Sequence, residues 1–189
     1  MTTVSTALPD RPSHWAALKA DAERYRQEGF STWDNLGFWG VTAYRLQSMS
    51  RDMGTGLLTL PFRIASALIW RLVSLVTGIN IGKGAEIGPG LVLPHAGPIW
   101  VADATKIGSN CTVLHGVTIG EGTNGAAAVI GNRVWLSPHA SIIGRLSIGD
   151  GASVAANTLV ITDVPAGATA IGVPAKIIPG RAAGAKPAA

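Results

Sequence analysis

Three of the chain's four histidines lie in its second half, and their side chains are the ones best suited to acid–base chemistry near neutral pH. His95 follows the apolar residue Leu93 by two positions, and His115 follows Val113 by two positions. If Leu93 and Val113 hold equivalent places on neighbouring strands, the two imidazoles lie one strand spacing apart, about 4.8 Å. An imidazole placed in this way can take the proton of a hydroxyl group and act as a general base.

The third of these histidines, His139, follows the apolar residue Leu136 by three positions, and this different offset sets it apart from the other two. A zinc site made of His95, His115 and His139 is an alternative, because histidine is a common zinc ligand. The spacing and the lack of nearby carboxylates argue against it, so we expect no metal. The remaining alternative for each histidine is an ordinary surface or corner position.

The elements that must position these histidines are indicated by a period of six residues, which neither a helix nor an ordinary half-buried strand produces. Such a period is typical of a parallel β-helix, in which three short strands form one triangular coil around an apolar interior. Glycine follows the apolar residue repeatedly. The apolar series runs through Ile81, Ile87, Leu93 and Ile99, then Val101, Ile107, Val113 and Ile119, then Ile130, Leu136, Ile142, Ile148, Val154 and Val160.

Two departures interrupt the repeat. The stretch LVLPHAGPIW around His95 differs from the repeat and is followed by a slip of two residues. The stretch EGTNGAAA adds five residues before Ile130, which predicts a loop projecting from one corner. Local departures from a regular pattern tend to mark functional sites, and this favours a role for His95.

Helical patterns fill the N-terminal part of the chain, at about 15–29, 36–53 and 61–77. In the first helix, Trp15, Leu18, Ala22 and Tyr25 share one face, and the charged residues, Asp21 among them, lie around it. We therefore predict an α-helical domain over 13–79 and a left-handed β-helix over 80–178. Residues 1–12 and 179–189 are expected to be disordered.

The third helix is long and apolar, but Arg63 and Arg71 interrupt it, and a membrane span needs about 20 residues almost without charge. Its polar stripe of Thr59, Arg63, Ser66 and Ser74 predicts an amphipathic helix packed within its own oligomer. Attachment to a membrane surface is the less favoured alternative.

Composition limits the classes of function. Hydrophobic residues make up 47% of the chain and charged residues 14%, which favours an oligomer that hides further apolar surface. The net charge of +4 is weak and dispersed, so nucleic acid is not an expected partner. The single cysteine, Cys111, excludes an intrachain disulfide and is expected to be a packing residue. The first residues show no secretory pattern, so a cytoplasmic location is expected.

Over about 17–178 the chain resembles the serine acetyltransferase family, above all the short bacterial form and its relatives that acetylate sugars of exopolysaccharides. Four stretches carry the resemblance: LKADAERYRQ, GFWGVTAYRLQSM, TGINIGKGAEIGPGLVLPHAGPIWVADATKIGSNCTVLHGVTIG and IGDGASVAANTLVITDVPAGATAIGVPAKII. The resemblance implies a left-handed β-helix capped by helices, a homotrimer that can pair into a dimer of trimers, and acetyl-CoA as donor. It also implies that His95 is the base, in a site between neighbouring prisms.

The chain departs from the family at three places near that site. Asn80 stands where the family has the aspartate behind the catalytic histidine, and we expect its amide to orient His95 without supplying a charge. Pro94 stands where the family has an aspartate before the histidine. The loop EGTNGAAA lacks the Arg-His pair that holds a carboxylate. Pro94 and His115 are therefore expected to line the pocket of an uncharged acceptor.

The resemblance places acetyl-CoA along an outer corner. The expected contacts are backbone amides near Ser137 and Ala140 and near Ala155 and Asn157, with Lys176 meeting a phosphate or lying solvated. The chain is thus expected to be an acetyl-CoA-dependent O-acetyltransferase acting on a small-molecule hydroxyl. The alternatives are a true serine O-acetyltransferase, a sugar O-acetyltransferase of an exopolysaccharide pathway, and a non-catalytic trimeric scaffold.

Overall fold

Three helices form the N-terminal part of the computed structural model, which describes residues 12–180. They are α1, His14–Gln27, α2, Leu36–Asp52, and α3, Leu60–Thr77, with a 3-10 turn, Leu57–Thr59, before the last. The side chains of Ser13 and Asn35 accept hydrogen bonds from the first turns of α1 and α2. Gly78, in the left-handed conformation, ends α3. These bounds agree with the predicted helices to within about two residues.

The apolar face predicted for α1 is confirmed at Tyr25 and wrong at Trp15. The buried residues of α1 are Ala17, Asp21 and Tyr25, whereas Trp15 is 58% exposed. A search for apolar periodicity assigns a charged residue to the solvent side, and Asp21 is fully buried here because it has partners that satisfy its charge.

The rest of the described chain is a solenoid of short strands, joined by tight turns, that stack into three sheets. The first sheet has the order β1-β3-β6-β9-β12, the second β10-β7-β4-β2 and the third β14-β13-β11-β8-β5. All neighbours pair in parallel except β13 and β14, which pair antiparallel at the end of the solenoid. The strands are β1 Ile79–Ile81, β2 Glu86–Ile87, β3 Ile99–Val101, β4 Lys106–Ile107, β5 Thr112–Val113, β6 Thr118–Gly120, β7 Val129–Ile130, β8 Trp135–Leu136, β9 Ser141–Ile143, β10 Ser147–Ile148, β11 Ser153–Val154, β12 Leu159–Val160, β13 Thr169–Ile171 and β14 Lys176–Ile178.

The interior of the solenoid is filled by the apolar residues of the six-residue period. In the first sheet, Ile81, Val101, Ile119, Ile142 and Val160 are aligned in register and buried. The five strands of this sheet correspond to about five coils. The predicted parallel β-helix after a helical N-terminal region is therefore confirmed.

Helix gives way to strand at Gly78, between α3 and β1. This point lies at the predicted boundary between the two domains, although their independence as domains stays a prediction. The two terminal segments expected to be disordered lie, apart from residues 12, 179 and 180, outside the described residues.

A buried ion pair fastens the helices to the first coil. The Asp21 carboxylate accepts from Arg45 Nε at 2.8 Å and from the backbone N–H groups of Gly90 and Leu91 at 2.7 and 2.8 Å. The Arg45 guanidinium also donates to the carbonyl oxygens of Ile87 and Gly88, both at 2.7 Å. One carboxylate from α1 and one guanidinium from α2 thus hold the segment that leads to His95.

The polarity of α3 is inverted with respect to the protein. Its buried residues are Ser66, Ser74 and Thr77, and most of its large apolar side chains face outward. The expected amphipathic pattern is present, but the polar stripe packs inward. Among the described residues, one helical segment, Leu57–Thr77, is long and apolar enough to cross a membrane, with a mean hydropathy of 1.4.

Replacing Asp21 with Asn is expected to lower the free energy of unfolding by about 3 kcal/mol, because Arg45 keeps its charge in a buried site without a counter-charge. Urea unfolding followed by circular dichroism measures the change. The matched control is Glu23→Gln, which breaks an ion pair to Arg26 whose side chains are 57% and 61% exposed. That loss should be about 0.5 kcal/mol or less. Equal effects of the two variants would contradict a structural role for the Asp21–Arg45 pair.

Candidate active site

The histidines lie on the corner of the solenoid where strands of the third sheet turn into strands of the first sheet. We call this edge the histidine corner; its turns comprise residues 94–98, 114–117, 137–140 and 155–158. Successive turns are joined by backbone hydrogen bonds, from Gly116 N to Pro98 O, from His139 N to His115 O and from Asn157 N to Pro138 O. The corner is therefore a continuous edge across neighbouring coils.

The imidazole rings of His95 and His115 lie edge-to-face on this corner. Their ring centroids are 6.0 Å apart with an angle of 65° between the planes. The bridge between Val92 and Thr112 aligns the two preceding strands, so the histidines hold equivalent places on neighbouring coils, as their spacing predicted. His95 is exposed and His115 is half-buried, so His95 is the more accessible to a substrate.

The ring of His139 contacts the ring of His115, and the sequence did not predict this contact. Its ring centroid lies 5.4 Å from that of His115, at an interplanar angle of 87°. The different offset of His139 is real, because its backbone holds the left-handed place that Gly116 fills one coil earlier. The side chain nevertheless reaches the His115 ring from that position. The three imidazole rings therefore form one row along the corner, with edge-to-face contacts between neighbours.

Two glycines, Gly97 and Gly116, leave space for the side chains of His115 and His139. A Cβ on Gly97 would lie 2.9 Å from the Cβ of His115, and a Cβ on Gly116 would lie 2.2 Å from Nδ1 of His139. Gly116 also has a φ of 75°, a conformation that glycine adopts at little cost. The Cβ of His115 and the ring of His139 therefore lie close to glycine backbone of the preceding coil.

The slip of two residues in the repeat is located in the turn that carries His95. Eight positions separate Leu93 from Val101, whereas six separate the equivalent residues Val113 and Ile119. The longer turn brings His95 outward to solvent. The departure from the repeat that marked His95 in the sequence is thus a longer turn at this histidine.

Residues of the helices hold both sides of this turn, and the sequence analysis did not identify them as positioning residues. The Tyr25 hydroxyl accepts from Leu93 N at 2.8 Å and donates to Leu93 O at 3.0 Å. Asn35 Nδ2 donates to Pro94 O at 3.0 Å, and the Gly97 N–H donates to Thr77 O at 3.0 Å. Burial raises the pKa of Tyr25 above its usual value, which keeps the hydroxyl neutral and able to donate. In the sequence alone, nothing but their residue types distinguishes Tyr25 and Asn35 as partners of this turn, and this is a weak signal.

Pro94 is buried, and its carbonyl accepts from Asn35. It therefore offers little surface to a ligand in this structure, and its contact with an acceptor stays a prediction. Because a proline stands at this position, no carboxylate precedes His95.

Asn80 has a different partner from the one expected. Its Nδ2 donates to the carbonyl of Gly78 at 3.1 Å, and no hydrogen bond joins it to His95 within residues 12–180. Asn80 lies half-buried in the first sheet, in register with Trp100. The side chain thus supports the junction between α3 and β1, while its role in orienting His95 stays a prediction.

The residues expected to bind CoA continue the histidine corner beyond His139. The amides of Ser137, Ala140, Ala155 and Asn157, however, already donate to carbonyls of the solenoid, those of Val154, Ser137, Ala170 and Pro138. These four N–H groups are therefore used by the fold, whereas contact of CoA with the amides of this corner stays a prediction. Asn157 is exposed and remains a residue that a ligand on this corner can meet, whereas Ser137 is buried.

Lys176 is exposed at the start of β14, where it pairs with Ile171 in the antiparallel end of the solenoid. His95 lies in the first coil and Lys176 in the last, about four coil steps away, each of roughly 4.8 Å. A long ligand lying along the corner spans that distance, so a phosphate contact of Lys176 stays a prediction.

An open cleft of about 480 Å³ lies on the first sheet and extends to the turns that follow its strands, and none of its lining residues belongs to the histidine corner. Two tryptophans, Trp70 from α3 and Trp100 from β3, contribute its aromatic surface. The ionisable side chains that line it are Lys83, Asp103 and Glu121, and Lys83 Nζ lies 5.3 Å from the centroid of the Trp70 ring. Asn80 lies in the same cleft. The loop EGTNGAAA contributes Glu121 to the lining.

Cys111 is buried, and burial raises the pKa of its thiol to about 11. It remains a thiol near neutral pH and is a packing residue, as predicted. In the described part of the chain, no group of three or more His, Cys, Asp or Glu side chains is placed to hold a metal ion.

A parallel solenoid with a six-residue repeat and a histidine on its corner is the architecture of the hexapeptide-repeat acyltransferases. A serine acetyltransferase of Helicobacter pylori is 40% identical over 119 residues, which are 61% of this chain and 68% of the relative. The structure of Neisseria gonorrhoeae serine acetyltransferase in complex with serine has a TM-score of 0.76 and 28% identity, covering 88% of this chain and 69% of that one. A serine acetyltransferase in complex with CoA has a TM-score of 0.76 and 26% identity, covering 88% and 70%.

No family model matches the chain. On the strength of these relatives, the chain belongs to the serine acetyltransferase family. The predicted fold class, a left-handed β-helix, and the predicted class of enzyme, an acyl-CoA-dependent O-acetyltransferase, are thereby confirmed.

Replacing Gly116 with Ala is expected to cost about 2 kcal/mol or more in the free energy of unfolding, because a left-handed backbone and a collision with His139 act together. The matched control is Gly125→Ala, which has a similar φ of 72° and open space around its Cβ. It should lose only the backbone contribution, about 1 kcal/mol. Urea unfolding of both variants measures the difference. If both lose the same free energy, the His139 ring does not rest on Gly116.

Proposed function

We propose that His95 is the general base of an acetyl transfer from acetyl-CoA to a hydroxyl of a small molecule. The observation that carries this proposal is the exposed His95 on a corner shared with the expected CoA contacts. The imidazole takes the hydroxyl proton as the oxygen attacks the thioester carbonyl. A C–O bond forms, the C–S bond breaks, and the proton passes to the departing CoA sulfur. His115 lies next to His95 and is proposed to line the acceptor side.

The geometry of the corner supports a donor lying along the solenoid. Asn157 lies three coils beyond His95 and Lys176 about four, so an extended pantetheine arm can lie along the edge with its thioester at His95 and its phosphates near Lys176. A solved relative carries CoA. Because the corner amides are used by the fold, we propose that carbonyl oxygens and the Asn157 carboxamide provide the polar contacts.

For the acceptor, we propose an uncharged polyhydroxyl compound, such as a sugar. The residue before His95 is a buried proline, and the loop beside the cleft contains neither arginine nor histidine. A zwitterion that loses its hydration without compensating partners is penalised by several kcal/mol. The exposed face of Trp100, by contrast, suits the apolar side of a sugar ring.

L-Serine is the second candidate acceptor. The relative from Neisseria gonorrhoeae binds serine, and the cleft of this chain contains charges of both signs, Lys83 against Asp103 and Glu121. These groups can in principle receive a carboxylate and an ammonium group. The two candidates therefore differ in whether Lys83 matters for the acceptor.

We also propose that the chain forms a homotrimer, in which a neighbouring prism closes the site at the histidine corner, and that it works in the cytoplasm. The few charges on the chain and its exposed apolar side chains support an oligomer. The donor supports the location, because CoA thioesters are cytoplasmic metabolites.

Replacing His95 with Ala is expected to lower kcat about 100-fold or more, because the hydroxyl then has no base. Release of the CoA thiol with the best acceptor measures the rate. The control His14→Ala, at the start of α1, should keep the wild-type rate. Light scattering should give the mass of three 19.4 kDa chains for all three proteins. A rate for His95→Ala within about tenfold of wild type would pass the role of base to His115.

Neutral polyols and sugars are expected to exceed L-serine in kcat/KM by about tenfold or more, because the zwitterion loses hydration without compensating partners and a neutral acceptor does not. Competing acceptors are compared at saturating acetyl-CoA. Lys83→Met should leave the kcat/KM of the best neutral acceptor within about twofold, since it removes only a charge that this acceptor does not use. Serine turnover with kcat/KM above about 10⁴ M⁻¹s⁻¹, lost in Lys83→Met, would establish the second candidate instead.

A further inference from the structure

The most unusual surface of the described chain is the outward side of α3 and of the turn before it. Nine large apolar side chains are exposed there, and we call them the α3 outer face: Leu57, Leu58, Leu60, Ile64, Leu68, Ile69, Leu72, Leu75 and Val76. Leu58 is 97% exposed and Leu75 68%. Soluble monomers rarely expose so many apolar side chains as one patch. This face must therefore be covered by something.

Two ordinary explanations for such an apolar segment do not apply. It is not the core helix of a soluble protein, because 11% of the most apolar window is buried. Nor is it at the beginning of the chain, where a cleaved signal would stand, because two folded helices precede it and pack on the solenoid.

The residues of α3 that are fully buried against the protein are small and polar, whereas Phe62, Trp70 and Val73 are half-buried. Ser66, Ser74 and Thr77 are buried, and the hydroxyls of Ser66 and Thr77 donate to carbonyls of their own helix, those of Arg63 and Val73. Helices that have lipid as their solvent pack through small residues such as Ser and Thr in this way. The inverted polarity is thus that of a helix with an apolar environment outside.

The charges of the surrounding segment have one sign. Residues 53–85 contain Arg63, Arg71 and Lys83 and neither aspartate nor glutamate. A two-fold contact between α3 helices of two copies would bring only cations of this segment together. An anionic lipid surface, by contrast, attracts each of them. The charge pattern therefore favours lipid over a second copy.

We propose that the α3 outer face binds the surface of a lipid bilayer that contains anionic lipids, with α3 lying in the plane of the interface. The helix does not cross the membrane. The preceding helix α2 is fastened to the first coil through Arg45, and α3 continues directly into that coil at Gly78, so both ends of α3 are on the same side. Arg63 and Arg71 also fit an interfacial helix better than a span.

The test is flotation of the full-length protein with vesicles of phosphatidylcholine, with and without phosphatidylglycerol. The wild-type protein should float with the anionic vesicles and less with the neutral ones. Leu68→Gln combined with Leu72→Gln should weaken binding about tenfold or more, because two side chains that are 65% and 64% exposed no longer enter the apolar layer. Arg71→Gln should weaken binding to anionic vesicles about fivefold and leave the weaker binding to neutral vesicles unchanged.

The matched control is Ile161→Gln combined with Ile178→Gln, two isoleucines that are 53% and 52% exposed and lie in the solenoid. This variant should float like the wild type, and circular dichroism should show all variants folded. If the wild type does not float and the α3 variant has a smaller mass in light scattering, a second copy covers the face and the proposal is overturned. Equal weakening by both double variants would also overturn it, since binding would then follow general hydrophobicity.

Discussion

The fully buried carboxylate of Asp21 is the contact on which the rest of the structure depends. It accepts hydrogen bonds from the Arg45 guanidinium and from two backbone N–H groups of the first coil. Arg45 in turn donates hydrogen bonds to two carbonyls of the same coil. An aspartate that is 0% exposed is tolerated only because every one of these donors is present. The contact joins α1, α2 and the segment before His95, so the helices and the histidine corner form one unit.

The second constraint is the stacking of coils without side chains at the corner. The Cβ of His115 lies close to Gly97 and the ring of His139 lies close to Gly116, so a β-carbon on either glycine would meet the histidine of the next coil. The solenoid thereby places three imidazoles at intervals set by its own strand spacing. Precision of this kind comes from the backbone, because hydrogen bonds between coils, such as those from Gly116 N to Pro98 O and from His139 N to His115 O, fix the turns of the corner.

The six-residue period predicted the solenoid, its core and the alignment of His95 with His115, because a parallel coil converts sequence spacing directly into position. The period could not predict contacts made by residues outside it. Asp21 was assigned to solvent because burial of a charge depends on partners that lie 24 to 70 residues away. The contact of His139 with His115 was missed because offset along the chain does not describe where a side chain in a left-handed turn points. The helical pattern predicted the polar stripe of α3 but not that it packs inward, since amphipathicity alone does not say which side faces the protein.

Gly78 joins the last helix to the first strand without any intervening loop. Its N–H donates to Ser74 O at 2.9 Å and its carbonyl accepts from Ile99 N at 3.1 Å, while the neighbouring Thr77 carbonyl accepts from Gly97. The turn that carries His95 is thus tied to the end of α3. The position of His95 is therefore fixed relative to α3, and each later coil lies about 4.8 Å farther along the solenoid axis. Lengthening or shortening the solenoid at its far end would change the reach of the protein but leave the distance between α3 and His95 untouched.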